Sequence, residues 1–149
     1  MENTGKEVLV LRTTIMDRAG ASKYKEGDMW REIAMPAGAS LFELAKAILE
    51  SIDFDMDHMF MFTDGTDFWD RGQRIRYEFD PFSTRGRSRP ALNQVFTKKG
   101  DALYMLYDYG DEWVFKVKLV GFEESEKGKG YPRVGDSRGE APEQYPDEE

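Results

Sequence analysis

Hydrophobic and polar residues alternate in six short stretches of the chain, and this pattern predicts six β-strands. Aliphatic, β-branched and aromatic residues dominate these stretches, and Gly, Pro or Asp residues bound most of them. The stretches are residues 7–15, 29–35, 58–62, 73–79, 102–106 and 114–120. Pro36 ends the second stretch because a proline has no N–H to donate to a neighbouring strand.

A stretch with helical periodicity lies between the second and third predicted strands. Ser40 and Glu43 have the Ser-x-x-Glu spacing of a capping box. The hydrophobic residues that follow recur on one side of a helix: Leu41, Leu44, Ala45, Ile48 and Ile52. We therefore expect a helix from Leu41 to Ser51. A short second helix is expected over residues 91–96. Gly100 lies shortly after it, and glycine commonly follows the C-terminus of a helix.

The order strand, strand, helix, strand favours an α+β fold in one domain that spans residues 1–149. We expect a curved, mixed or mainly antiparallel sheet with the 41–51 helix packed across it. The N-terminal half is expected to resemble a β-grasp. Residues 131–145 contain few aliphatic side chains and predict an irregular C-terminal strap, and residues 146–149 are expected to be frayed.

The residue composition excludes several classes of site. The chain has no cysteine and one histidine, so disulfides, thiolate zinc sites, iron–sulfur clusters and cysteine nucleophiles cannot form. The Gly-x-Ser-x-Gly, P-loop and dinucleotide-binding motifs are missing from the sequence. We therefore expect no cofactor and favour a non-enzymatic function.

Hydropathy argues against a membrane protein. No apolar run approaches the roughly 18 to 20 residues that cross a bilayer, and the first residues lack the basic and apolar regions of a signal peptide. We expect a cytoplasmic protein.

Charge is distributed unevenly along the chain. The net charge is -8, which disfavours non-specific binding to nucleic acid. Residues 71–99 nevertheless carry eight Lys and Arg residues against two acidic residues. Within this segment, Arg85, Arg87 and Arg89 lie between glycine, serine and proline, a composition that suits phosphate contacts. An exposed loop of solvated charge is the simpler interpretation.

The segment Tyr107–Trp113 is the main candidate site. Asp108 and Asp111 flank Gly110, and carboxylates at this spacing can converge on a ligand or on a hard metal ion. Three aromatic residues accompany them: Tyr107, Tyr109 and Trp113. Alternatively, the aspartates bond to the backbone of a hairpin turn and the aromatics belong to the core. In that case Arg133 or Arg138 is expected to pair with one aspartate.

Two further groups of residues have candidate chemistry. His58 follows Asp57 and suits a general base or a proton switch, although a half-buried histidine at the start of a strand is the simpler interpretation. The acidic residues Asp64, Asp67 and Asp70 lie near Trp69. Their three-residue spacing differs from that of an EF-hand loop, so a solvated turn is favoured there.

The chain resembles the pRiA4b Orf-3-like proteins, a family of small domains found in plasmids, bacteria and archaea. Tyr107–Trp113 is similar to the family signature Tyr-Asp-Phe-Gly-Asp-x-Trp, and residues 131–143 resemble the tail of the family. Trp30-Arg31 and Asp57-His58 resemble its first half. This resemblance implies an α+β fold and an association with mobile elements. The chain lacks the tail cysteines of many relatives, and it has Ala141–Gln144 where relatives have Pro-Pro-Glu-Asp.

Together these observations favour a non-catalytic binding or interaction module for an unknown protein or small-molecule ligand. Its site is expected on the Asp108–Trp113 turn and the 131–143 strap, with Arg133 and His58 as possible contributors. The alternatives are a nucleic-acid-associated protein that uses the 85–89 loop, and a carboxylate-metal hydrolase that uses Asp108 and Asp111.

Overall fold

Seven strands form one antiparallel sheet in the computed structural model of the protein, which describes residues 7–18, 25, 27–70 and 74–145. The sheet order is β4-β3-β5-β6-β1-β2-β7. The elements are β1 (Glu7–Arg18), β2 (Trp30–Pro36), α1 (Leu41–Ser51), β3 (Phe60–Thr63), β4 (Arg76–Phe79), α2 (Leu92–Val95), β5 (Ala102–Tyr107), β6 (Trp113–Glu124) and β7 (Arg133–Arg138).

Helix α1 has the bounds that its periodicity predicts. The Ser40 hydroxyl accepts from the Glu43 N–H at 3.1 Å, and the Glu43 carboxylate accepts from the Ser40 N–H at 2.9 Å. Both contacts satisfy N–H groups that have no partner inside the helix. The buried side of α1 joins a core that includes Leu9 and Leu11 of β1 and Phe115 of β6. One face of the sheet therefore packs against α1.

Strand β1 is longer than its hydrophobic pattern predicts. Asp17 and Arg18 lie beyond the predicted stretch of residues 7–15, and they pair with Val114 and Trp113 of β6. Strand β6 runs to Glu124 and supplies backbone partners along the whole of β1. Backbone pairing does not require apolar side chains, so polar residues extend the strand at its end.

The expected irregular strap is partly a strand. Residues Arg133–Arg138 form β7 and pair with β2 at the edge of the sheet, whereas residues 139–145 are irregular. Every residue of β7 is exposed, so the strand has no alternation of apolar and polar side chains that would reveal it. The expected fraying of residues 146–149 lies outside the described residues.

The β-grasp expectation for the N-terminal half is not confirmed by the described strands. Strands β1 and β3 are separated by β6 and β5 in the sheet. All the strand pairs of the described sheet are antiparallel. The β5–β6 hairpin and the long-range pairing of β1 with β6 decide this order, and β5 and β6 both lie in the C-terminal half of the sequence.

The opposite face of the sheet, called the outer face below, carries a second and smaller cluster. Phe68 of the 64–70 loop is buried against Met61 of β3 and Leu106 of β5. The loop thus covers the β3–β5 part of the outer face. No helix among the described residues is long and apolar enough to cross a membrane.

Candidate functional site

The turn between β5 and β6 is built around Asp108. Its backbone is left-handed, with a φ of 70°, and so is that of Glu112, with a φ of 54°. The Asp108 Oδ1 atom accepts from the N–H groups of Gly110 at 3.0 Å and Asp111 at 3.1 Å. Aspartate tolerates this conformation because its short carboxylate bonds to the nearby backbone. The Asp108 residue is only 5% exposed.

The aromatic residues of the segment differ in position. Tyr107 and Trp113 are opposite each other on β5 and β6 and are buried. Trp113 packs edge-on against Phe54, with ring centres 5.0 Å apart. Tyr109 lies on the outer face, where its hydroxyl donates to Glu78 at 3.1 Å and its ring contacts Trp69. The three aromatics therefore do not line one common pocket.

Asp57 accepts hydrogen bonds from two tyrosines. The Tyr107 hydroxyl is 2.9 Å from Asp57 Oδ1 and also contacts the Asp55 carbonyl. The Tyr145 hydroxyl is 3.0 Å from Asp57 Oδ2. His58 Nε2 is 2.7 Å from the Tyr145 oxygen and 3.3 Å from Asp108 Oδ2. His58 therefore links the β5–β6 turn to the C-terminal segment.

Gln144 fixes the same segment through backbone contacts. Its Oε1 atom accepts from the Asp55 N–H at 2.7 Å, and its Nε2 atom donates to the Asp55 carbonyl at 3.1 Å. The Gln144 residue is buried. We call the group that holds residues 144–145 against the rest of the chain the tail clasp. It consists of Asp55, Asp57, His58, Tyr107, Gln144 and Tyr145.

The pKa shifts in the tail clasp follow from these contacts. Burial raises the pKa of Asp57, but the hydrogen bonds from Tyr107 and Tyr145 and the charge of His58 outweigh it and lower that pKa below its ordinary value. Burial, together with the Asp57 carboxylate, raises the pKa of Tyr145 to about 12. The pKa of Tyr107 is raised by burial and by Asp57 as well. The clasp therefore favours an ionised Asp57 beside two neutral tyrosines.

Asp111 and Arg133 do not meet. Asp111 lies 3.5 Å from Arg18, whose guanidinium is 5.2 Å from the centre of the Trp113 ring. Arg133 and Arg138 belong to β7 at the edge of the sheet, and neither pairs with Asp108 or Asp111. Sequence reasoning missed Arg18 because no local pattern links it to Asp111. One feature of the sequence pointed to Gln144, because this residue departs from the tail pattern of the family.

The carboxylates form no candidate metal site among the described residues. The Asp108 Oδ1 atom is occupied by two N–H groups, and Asp111 pairs with an arginine. In the 64–70 loop, the Asp70 N–H donates to the Asp67 carbonyl at 3.1 Å and Phe68 is buried between them. That loop is held by its buried aromatic residue.

The 85–89 loop uses one of its arginines internally. Arg87 donates to the carbonyls of Ser83 at 2.7 Å and Pro81 at 2.8 Å, and its guanidinium is 4.5 Å from the Phe42 ring centre. Arg85 and Arg89 are exposed. The three arginines therefore do not form a single charged patch.

A different set of residues comes together on the outer face. Along β1, Arg12 is opposite Lys118 of β6 and Glu32 of β2. Two residues further on, Thr14 is opposite Lys116 and Trp30. Residues two apart on a strand point to the same face. Most of these side chains line a cavity of about 130 Å³, the sheet-face cavity, formed by Arg12, Thr14, Gly27, Trp30, Lys116, Lys118 and Val120.

Arg12 is held in place at the rim of this cavity. Its Nε and Nη2 atoms donate to Glu32 Oε2 at 3.0 and 2.6 Å. Its guanidinium lies 4.0 Å from the centre of the Trp30 ring, a cation–π contact. A second cavity of about 290 Å³ is lined by Glu32, the partner of Arg12. Arg133 lines this second cavity, together with Glu123, Glu126, Lys129 and Asp136.

Comparisons with known proteins agree with this fold. No curated protein matches the chain. A crystal structure of a protein of unknown function, MM3350 from Methanosarcina mazei Go1, has a similar fold, with a TM-score of 0.69 and 22% sequence identity. The similarity covers 93% of this chain and 72% of that protein. Residues 23–145 match the family described as plasmid pRiA4b ORF-3-like protein. The chain therefore belongs to the plasmid pRiA4b ORF-3-like family.

Proposed function

We propose that the protein is a non-catalytic binding module and that its ligand site is the sheet-face cavity. The observation that carries this proposal is the β6–β1–β2 part of the outer face, where side chains from three strands, four of them polar or charged, line one cavity. No described helix or loop residue apart from Gly27 lines it. A concave site with a few convergent polar groups is the usual form of a small-molecule site.

The tail clasp is better suited to a structural role than to ligand binding. The donors and acceptors of Asp57, Gln144 and Tyr145 are directed at one another, and a ligand would have to break these contacts. We therefore place the ligand site at the sheet-face cavity and not at the expected Asp108–Trp113 turn. Residues 139–145 still meet that turn, through His58 and Tyr145.

The contacts of His58 favour a non-catalytic function. Among the described residues, its Nε2 atom faces the Tyr145 hydroxyl and the carboxylates of Asp57 and Asp108. A general base for nucleophilic catalysis needs a serine, threonine or cysteine within hydrogen-bond reach. The Tyr145 hydroxyl, which lies next to His58, hydrogen-bonds to the Asp57 carboxylate.

Protein-observed NMR tests the proposal. Amide spectra are recorded with a library of small anionic, cationic and neutral compounds, and turnover of each compound is followed in the same samples. We expect ligands to shift amides of β1, β2 and β6 without being converted. Lys118→Glu should remove these shifts, whereas Lys99→Glu, an equal charge change at another exposed lysine, should retain them. Shifts centred on His58, or turnover of a ligand, would contradict the proposal.

Nucleic-acid association through the 85–89 loop is the alternative. Arg85 and Arg89 are exposed there, but Arg87 is engaged by the loop itself and the net charge is -8. Binding of labelled single- and double-stranded DNA across a salt series tests it. Binding that weakens with salt and is lost in the double variant Arg85→Ala/Arg89→Ala would support this alternative.

A further inference from the structure

We propose that the sheet-face cavity binds the phosphate group of a small molecule. This inference rests on the proposed binding function and adds the chemistry of the ligand. It follows from the charge, the strand register and the pre-arranged arginine of the cavity.

Charge is the first argument. Three cationic side chains line the cavity, those of Arg12, Lys116 and Lys118, and none of the lining residues that the structure describes is acidic. Glu32 pairs with Arg12, and Lys118 lies beside this pair as an exposed cation. A phosphate monoester carries about -1.5 to -2 at neutral pH. Cationic side chains on two neighbouring strands, in a chain whose net charge is -8, suit such an anion.

Strand register is the second argument. Arg12 lies directly opposite Lys118, and like charges at directly opposed positions destabilise a sheet by about 0.2–1 kcal/mol. Lys116 is on the same face, two residues before Lys118. The carboxylate of Glu32, on the other side of Arg12, offsets only part of this repulsion. An anion bound between β1 and β6 would contact Arg12 and Lys118 together and remove the repulsion.

The position of Arg12 is the third argument. Its Nε and one Nη2 hydrogen are used by Glu32, which leaves the Nη1 group and the second Nη2 hydrogen for another acceptor. The guanidinium lies over the Trp30 ring, and this contact restricts its orientation. A donor fork that is already fixed loses little conformational entropy on binding a phosphate. The Thr14 hydroxyl is a further hydrogen-bonding group in the lining.

Cavity size limits the part of the ligand that enters. The volume of about 130 Å³ is below the roughly 300–1,000 Å³ of sites that enclose a drug-sized ligand. The cavity therefore suits a phosphate head group. The remainder of the ligand would extend out of the cavity, along the outer face.

Titrations at constant ionic strength test this inference. The probes are inorganic phosphate, a mononucleotide, acetate, methylammonium and a single-stranded DNA oligonucleotide, and the readout is amide shifts of β1, β2 and β6. We expect inorganic phosphate and the mononucleotide to bind, and acetate and methylammonium to have no effect. Lys118→Gln should weaken phosphate binding about three- to tenfold, as for one lost charge-assisted contact in a half-exposed site. The control Lys99→Gln should leave it unchanged.

Each other outcome has a defined meaning. Binding of the oligonucleotide without binding of inorganic phosphate would overturn the inference in favour of a nucleic-acid partner. If acetate, methylammonium or a neutral library compound shifts these amides and phosphate does not, the proposed binding function stands and the phosphate assignment fails. If no probe or library compound shifts them, both fail. Lys118 is exposed, so its replacement by Gln should leave the fold intact, and the unchanged spectrum of the free variant checks this.

Discussion

Asp108 illustrates how one residue can serve both backbone and side-chain geometry. Its left-handed φ would be strained for most residues, and its carboxylate accepts two N–H groups of the turn that this conformation creates. The second oxygen faces His58. The residue type is therefore required by the turn, whether or not a ligand contacts it.

Replacing Asp108 should separate these roles. Asp108→Ala should lower the free energy of unfolding by about 3 kcal/mol, because the turn N–H groups lose their acceptor and alanine is strained at positive φ. Asp108→Asn should cost about 1 kcal/mol, since its amide oxygen can accept both N–H groups and asparagine tolerates this conformation. Urea unfolding measures both variants. Equal losses in the two variants would show that the negative charge of Asp108, and not its hydrogen bonds to the turn, contributes to the free energy of unfolding.

Gly139 is a second position where the backbone dictates the residue. It has a φ of 81°, and a Cβ atom there would lie 3.0 Å from the Met29 Cα atom and closer still to the Asp28 carbonyl oxygen. Gly139→Ala should therefore reduce the free energy of unfolding by about 3 kcal/mol, from conformational strain and a backbone clash. Gly128→Ala is the matched control, because Gly128 has a φ of 84° and open space around it. Its loss should be about 1 kcal/mol. Similar losses at the two glycines would argue against the close approach of residues 139 and 28.

At the scale of elements, the tail clasp fastens residues 144–145 to the segment that follows α1. The contacts of Gln144 and Tyr145 with this segment join residues 87 to 89 positions apart. The sequence predicted that residues 131–143 meet the Asp108–Trp113 turn, with Arg133 as the contact. In the structure Arg133 lies in β7, and Gln144 and Tyr145 make the contacts of the clasp.

The clasp should give the stability a pH dependence at both extremes. The folded state raises the pKa of Tyr145 from 10.0 to about 12, so its contribution is present below pH 10 and is lost as the pH rises towards about 12. Asp57 has a lowered pKa, so its contribution is present above its ordinary value of 3.8 and is lost as the pH falls through the folded value. Tyr145→Phe should reduce both dependences, as measured by urea unfolding at a series of pH values.

Tyr131→Phe is the control for this measurement. Its hydroxyl accepts from the Glu126 N–H outside the clasp. The control should retain the wild-type pH dependence. If Tyr145→Phe also retains it, the contacts between Tyr145 and Asp57 do not form in solution.

At the scale of the whole molecule, positive charge is concentrated by folding and not by sequence. The most basic stretch, residues 71–99, has one arginine turned inward in its 85–89 loop. The cations of the sheet-face cavity come instead from β1 and β6, which are about a hundred residues apart in the chain. Strand pairing places them on one face.

Divalent metals should not stabilise the protein. Among the described residues no group of three or more His, Asp or Glu side chains is arranged around a metal site. The melting temperature in magnesium, manganese or calcium should therefore equal the melting temperature in sodium chloride of the same ionic strength. A metal-specific increase that disappears in Asp108→Asn would contradict this and would favour the carboxylate-metal hydrolase.

The sequence alone determined the α+β class, the bounds of α1 and the approximate positions of six strands. These features depend on local periodicity and capping, which one segment carries by itself: Ser40 and Glu43 locate a helix start without any other part of the chain. The family was also evident from the Tyr107–Trp113 signature.

Only the tertiary structure decided which distant residues meet. The order of the strands, the edge strand β7, the Arg18–Asp111 pair, the tail clasp and the sheet-face cavity all depend on pairing across the sheet. Periodicity indicates which side of a strand is buried, but it does not indicate which strand lies beside it. That choice depends on the free energy of packing the whole sheet against α1, and no single segment contains that information.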